Sequence, residues 1–166
     1  MSLEAGAGQP LARYAAWRRA GDFIFLSGMI PVNPQSATLV SGFHDIPAAA
    51  RLLLGETGEF STDAKEGPIL AQSWYVLESI RLTLEEAGGQ MSDVIKLVQY
   101  FRNLDHFPCY SRVRKLFYRG QPPVSTVVQV SEMLPSAAVL IEVEATAWLP
   151  QSRLTPSRPI PEAPHD

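Results

Sequence analysis

Near its C-terminus the chain reads Val139-Leu140-Ile141-Glu142-Val143-Glu144-Ala145-Thr146-Ala147-Trp148-Leu149. Side chains on a strand alternate between two faces. Val139, Ile141, Val143, Ala145 and Ala147 therefore make one uniformly apolar face, which requires a core. The opposite face carries Leu140, Glu142, Glu144, Thr146 and Trp148, so two carboxylates stand two residues apart on the side turned away from that core. A strand over 139–149 follows.

Working back toward the N-terminus, Val124–Val130 reads as a second strand, joined to the last through Leu134-Pro135-Ser136. Before it, Phe107, Tyr110, Val113, Leu116 and Phe117 recur at helical spacing. That helix starts at Asn103 or Asp105 and ends before Pro122-Pro123. Val94–Phe101 is a β-rich run. Leu70, Trp74, Leu77, Ile80, Leu84 and Ala87 predict a helix over Pro68–Ala87, stopped by Gly88-Gly89. Residues 43–66 read as an insertion holding a short helix plus loop. Arg13–Arg19 and Asp22–Ser27 are expected as strands around the turn Ala20-Gly21-Asp22, and 28–42 continues extended, with a turn at Asn33-Pro34.

The order implies one α+β domain over 11–150: a sheet of about six strands with two long helices on one face. Residues 1–10 read as a flexible N-terminus. Residues 151–166, with Pro156, Pro159, Pro161 and Pro164, read as a flexible tail. Phe23–Leu26 and much of Val94–Phe101 are apolar on both faces. Two helices cover only one face of such a sheet, so the other face is expected to meet another chain. Oligomerisation with small-molecule pockets at the junctions follows.

The chain has 166 residues, with apolar residues at 46%, charged residues at 19% and a net charge of −3. That balance is globular, and it lacks the basic excess that nucleic-acid binders carry, so no nucleic-acid partner is expected. The single cysteine, Cys109, fits a reducing compartment. No stretch reaches the ~18 apolar residues of a membrane span, so no membrane association is expected, and the N-terminus lacks a signal pattern. A cytoplasmic protein is expected.

For Glu142 two readings stand. As an interface residue it pairs with an arginine such as Arg13, Arg18 or Arg19, or is solvated; as a partly desolvated carboxylate it positions or deprotonates a water. Ser27-Gly28 is either a strand end relieved by glycine or a place where backbone polar groups approach a ligand. Arg112, Lys115 and Arg119 form a stripe on the second helix that reads first as a solvated face. His44, His106 and His165 share no metal-ligand spacing with Cys109 or with acids, so neither metal nor cofactor is expected.

Several stretches, in order across most of 12–149, resemble the Rid (RidA/YjgF) family, also called liver perchloric-acid-soluble endoribonucleases. They are Tyr14, then Ala20-Gly21-Asp22-Phe23-Ile24-Phe25-Leu26-Ser27-Gly28-Met29-Ile30-Pro31, then Val94-Ile95-Lys96 through Leu104-Asp105-His106-Phe107. Pro122-Pro123-Val124-Ser125-Thr126-Val127, Leu134-Pro135 and Ile141-Glu142-Val143-Glu144-Ala145 complete the set. The resemblance implies a chorismate-mutase-like α+β fold and a homotrimeric barrel with three inter-subunit clefts. It implies hydrolysis of reactive enamines and imines derived from amino acids to a keto acid and ammonia, with no metal needed. By the same resemblance Glu142 orients water, Tyr14 and Thr126 hydrogen-bond the substrate, and Ser27 and Gly28 line the cleft. Ser111 stands where the family has an asparagine, and Val124 where active deaminases have an arginine.

Valine at 124 removes a bidentate partner for a substrate carboxylate, with Arg102 and Arg119 as candidates to replace it. Three functions are carried forward: an imine or enamine hydrolase with a divergent substrate, a non-catalytic small-molecule-binding trimer, and an endoribonuclease or translation inhibitor. The negative charge and the missing pair of acid–base histidines argue against the third.

Overall fold

In the computed structural model, residues 10–154 are described, and the expectations for 1–9 and 155–166 lie outside the described residues. The chain is a mixed α+β fold. β1 (Trp17–Ala20), β2 (Phe23–Leu26), β5 (Val94–Phe101), β6 (Val124–Gln129) and β7 (Ile141–Trp148) form one sheet in the order β1-β2-β7-β5-β6. β3 (Val32–Asn33) and β4 (Thr38–Leu39) form a separate hairpin. The helices are α1 (Ala48–Leu54), α2 (Phe60–Glu86) and α3 (Phe107–Phe117).

The sheet has five strands where about six were expected. The sixth was the extended stretch 28–42, of which only Met29 joins the sheet, exchanging a 2.8 Å and a 3.1 Å hydrogen bond with Val143. Asn33 then folds the chain back: its side-chain oxygen accepts from the backbone N–H of Gln35 at 2.9 Å, an Asx turn that closes the hairpin.

α2 starts eight residues before the expected Pro68. Its first turns, Phe60 to Glu66, lie almost entirely in solvent and carry no apolar period, and a proline inside a helix ordinarily marks a boundary. A carboxylate holds this start instead: Asp63 accepts from the Thr57 N–H, the Thr57 hydroxyl and the Gly58 N–H at 3.0, 2.8 and 2.8 Å. At the other end Gly88 takes the left-handed conformation (φ 86°). Gly88 N–H and Gly89 N–H close a Schellman cap on Glu85 and Leu84.

The core lies between the helical layer and one face of the sheet. The apolar face of β7 is buried in full: Ile141, Val143 and Ala147 are wholly inaccessible and Ala145 nearly so. They meet Ile24, Leu97 and Phe101 from neighbouring strands and Val76, Leu77 and Ile80 from α2. Each of the isoleucine, valine, leucine and phenylalanine side chains contributes roughly 1.5–3 kcal/mol by leaving water. Gln72 of α2, itself buried, ties the layers together. Its amide donates to the carbonyls of Val40 (3.0 Å) and Ala138 (2.9 Å), and its oxygen accepts from Leu140 N–H at 2.9 Å. That clamp fixes where β7 begins.

The opposite face of the sheet is bare. Phe23, Phe25, Trp148 and Val124 are 42%, 49%, 48% and 67% exposed there. Gln151–Arg153, expected in the tail, form a turn docked on the domain, with Arg153 on Asp93 at 2.7 Å and Gln151 N–H on Asp22 at 3.1 Å.

Candidate active site

The bare face is where β7 presents Glu142 and Glu144. Antiparallel pairing sets Tyr100 directly opposite Glu142 and Val98 opposite Glu144. On the other side of β7, the Met29–Val143 exchange draws Ser27-Gly28 across Glu142. The contact depends on residue 28 being glycine: a Cβ built there would overlap Glu142 Oε1 and stand 2.9 Å from its Cδ. Burial raises the Glu142 carboxyl above the ordinary carboxylate value, and the nearby Glu144 charge raises it further. Among the described residues no donor or cation pairs with Glu142. The arginine partners expected for an ion pair are engaged elsewhere or apart: Arg19, for one, donates to the carbonyls of Gly21 and Leu149.

Around this carboxylate opens a cleft of about 670 Å³, within the size of small-molecule sites. Tyr14, Gly28, Tyr100, Met133, Glu142 and Glu144 are among its walls. Ser27 lines it too, but its hydroxyl donates to Ala15 O at 2.7 Å and its N–H to Ala16 O at 2.9 Å. Those bonds hold the strand end and leave the hydroxyl oxygen free to accept. Gly28 N–H has no acceptor among the described residues. Tyr100 has its phenol raised by desolvation, then by the charges of Glu144 and Glu142. Sequence reading missed Tyr100 and Met133. The signal for Tyr100 was its alternation with Val98 in a β-rich run, which becomes informative only once β5 is known to pair with β7.

Four expected residues, Tyr14, Ser27, Gly28 and Glu142, therefore meet in one cleft. Ser111, Val124 and Thr126 do not line it. Ser111 sits on α3, in the helical layer. Val124 and Thr126 share the bare face with Glu142 but stand two strands away on β6. Strand spacings put their backbones about 16 Å and about 12 Å from Glu142. Within one protomer neither reaches its carboxylate. Arg119, exposed, lies beyond α3. Arg112 of the basic stripe pairs with Glu66 at 2.7 Å and fastens α3 to α2. Cys109, free and partly buried, lies 3.4 Å from Arg112 Nη2. Among the described residues no cluster of His, Cys, Asp and Glu could hold a metal ion, and no helix is long and apolar enough to cross a membrane.

Comparison with known proteins gives a consistent picture. The family model described as Endoribonuclease L-PSP matches residues 48–149. Over 140 residues the chain is 32% identical to a RutC family protein of Pyrococcus abyssi, covering 84% of this chain and 89% of that one. It is 26% identical over 134 residues to a 2-iminobutanoate/2-iminopropanoate deaminase of Dermatophagoides farinae, covering 81% and 85%. A solved structure from Klebsiella pneumoniae superposes with a TM-score of 0.81 at 82% identity, covering 82% of this chain and 100% of that one.

Proposed function

This chain belongs to the endoribonuclease L-PSP family, and we propose that it hydrolyses a small imine or enamine in clefts completed by sister chains of a homotrimer. Glu142 is the general base. It takes a proton from a water as the water oxygen bonds to the imine carbon, and hands that proton to the nitrogen, giving a carbinolamine. The carbinolamine hydroxyl then gives its own proton through Glu142 to the nitrogen as the C–N bond breaks, leaving a carbonyl product and ammonia. Tyr14 and the Gly28 N–H bind polar atoms of the substrate, and Thr126 reaches it from a neighbouring subunit.

The observation carrying this reading is a half-buried, unpartnered carboxylate whose proton affinity is raised, facing a cleft of substrate size. In its ionised form, a carboxylate of raised pKa accepts a proton from water more readily than an ordinary carboxylate. The name of the Dermatophagoides relative, a 2-imino acid deaminase, adds support. The test is ammonia release from imines generated in situ by an oxidase. Wild type releases ammonia faster than solvent hydrolysis, and Glu142→Gln returns the rate to background. An unchanged rate in Glu142→Gln refutes the assignment.

One observation favours a second reading, a trimer that binds a metabolite without chemistry. Val124 stands where active deaminases of the family carry an arginine, so the usual carboxylate clamp is missing. Ligand binding with no ammonia release across varied imines selects that reading.

A further inference from the structure

We propose that a recess behind Gly28 is the specificity pocket of the Glu142 cleft. It takes an uncharged, mainly aliphatic substituent of the substrate, about four heavy atoms long, with the Thr83 hydroxyl as its buried hydrogen-bonding contact. This inference rests on the hydrolase reading for the reacting group, and on the walls of the recess for the substituent.

The recess holds about 60 Å³. Tyr14, Ser27, Gly28 and Ile30 line both it and the cleft, so the two meet where the chain leaves β2. A guest seated beside Glu142 can extend past these residues. Tyr75, Ser79 and Thr83 line the recess and not the cleft. They recur every four residues along α2, which puts them on one helix face. The recess thus leads from the bare side of the sheet toward the helical layer. At about 10–15 Å³ for each water-sized group, its volume accommodates about four.

The lining selects against charge. Glu132, Glu142 and Glu144 line the cleft, whereas among the described residues no charged side chain lines the recess. A charged group entering it would leave water without gaining a partner. Leu11, Met29, Ile30 and Val32 supply apolar contact instead. Two of its hydroxyls are already spent: Ser27 donates to Ala15 O at 2.7 Å and Ser79 to Tyr75 O at 2.8 Å. Thr83 differs. It is 1% exposed, and its hydroxyl bonds nothing among the described residues, although a buried hydroxyl ordinarily has a partner. The Tyr75 phenol is also buried and unbonded, but Tyr75 borders a second depression beside the β3–β4 hairpin as well. Thr83 belongs to the recess alone.

The test uses the full-length protein and neutral ketones as probes, with affinities read by NMR titration. A buried methylene is worth about fourfold in affinity. Hexan-2-one has two more than butanone and binds wild type roughly tenfold tighter. Ser79→Leu fills the recess and removes that margin, leaving butanone unchanged, and the smaller Ser79→Val gives an intermediate margin. Ser79 is only partly buried, so unfolding temperature and oligomeric state hold in both. Two ethers, 4-methoxybutan-2-one and 1-ethoxypropan-2-one, place an oxygen in the same chain. Thr83→Val, which keeps the shape and loses the hydroxyl, tightens hexan-2-one and loosens at least one ether severalfold. Both ethers moving with hexan-2-one overturns the Thr83 contact.

Ammonia release is then read for imines made from pentylamine and ethylamine by a flavin amine oxidase. Wild type shows the lower KM for the longer imine, and Ser79→Leu makes the two alike. Equal affinity for butanone and hexan-2-one in wild type, or a margin that survives Ser79→Leu, overturns the pocket, and Glu142-dependent ammonia release would still uphold the hydrolase. Conversely, binding that follows tail length without ammonia release from any imine, those of amino acids included, overturns the hydrolase and leaves the recess as the selector of a ligand.

Discussion

The Glu142 carboxylate occupies the volume in which a side chain on residue 28 would begin, overlapping an ideal Cβ there with Oε1 and approaching it to 2.9 Å with Cδ. Gly28 is not in a left-handed conformation, so its role is to leave room rather than to bend the chain. The glycine and the glutamate are one device: the strand end at Ser27-Gly28 presses over β7, and the missing side chain lets the carboxylate lie desolvated beneath it.

Gly28→Ala is accordingly expected to fold and to fail as a catalyst. The group that must yield is the end of a flexible side chain, so the unfolding temperature drops by only a few degrees, while ammonia release falls at least roughly tenfold because a misplaced base forfeits its geometry. Coupling verifies the cause. In a Glu142→Ala background the three atoms nearest the added methyl are gone, and the stability cost of Gly28→Ala shrinks by about 1 kcal/mol. Equal costs in both backgrounds would place the effect elsewhere.

The raised Glu142 carboxyl makes a signed prediction about pH. A carboxyl whose folded pKa exceeds its unfolded one favours folding when protonated. Its stabilising contribution is fully present below the unfolded pKa and is lost as pH rises through the folded pKa. Above the folded pKa the ionised group therefore weighs against the fold, and Glu142→Gln raises the unfolding temperature there, a gain that vanishes in acid below the ordinary carboxylate range. Activity runs the other way, falling as pH drops and the base is protonated. Desolvation is the larger cause and Glu144 the smaller, so Glu144→Gln shifts the acidic limb to lower pH without abolishing turnover. A limb unmoved in Glu144→Gln would sever the two carboxylates.

Much of the fold was readable because its periods are strong. β5 fits Val94–Phe101 residue for residue, and Gly88-Gly89 ends α2 as its cap chemistry requires. The start of α2 was not readable, because Phe60 to Glu66 lie in solvent and need no apolar stripe, and Pro68 argues locally against a helix that tertiary packing sustains. At the site, Glu142 followed from alternation alone, since an apolar face on one side of β7 forces the carboxylates onto the other. Tyr100 depended on which strands pair and in what register, which no local pattern encodes.

The separation of Val124 from Glu142 within one protomer yields a test of assembly. At about 16 Å by strand geometry, an arginine at 124 cannot serve its own Glu142. Val124→Arg is therefore expected to tighten carboxylate binding only where a sister chain brings its β6 to this cleft. The covering of the bare face predicts the same assembly: Phe25→Asp, in a row with Thr146 and Lys96, converts a sedimenting trimer to monomers at micromolar concentration. A well-folded wild-type monomer would dispose of the proposed trimer, and a Val124→Arg gain that survives in the Phe25→Asp monomer would show the arginine acting within one chain.

The Gln72 clamp links the core to the chemistry. Its side chain satisfies the Val40 and Ala138 carbonyls and the Leu140 N–H, all far from it in sequence. Leucine fits the volume but leaves all three backbone groups unpaired, at about 1–3 kcal/mol for each that stays buried. Because Leu140 also accepts from Arg102 N–H, loosening it frees the end of the β5–β7 pairing on which Glu142 is registered. Gln72→Leu should thus destabilise the domain by about 3 kcal/mol. Below its unfolding transition it should also lower kcat on every imine alike. Amide hydrogen exchange at Leu140 and Arg102 reads the loosening directly. Protection unchanged at both positions would mean that β7 is registered by its own ladder and not by the glutamine.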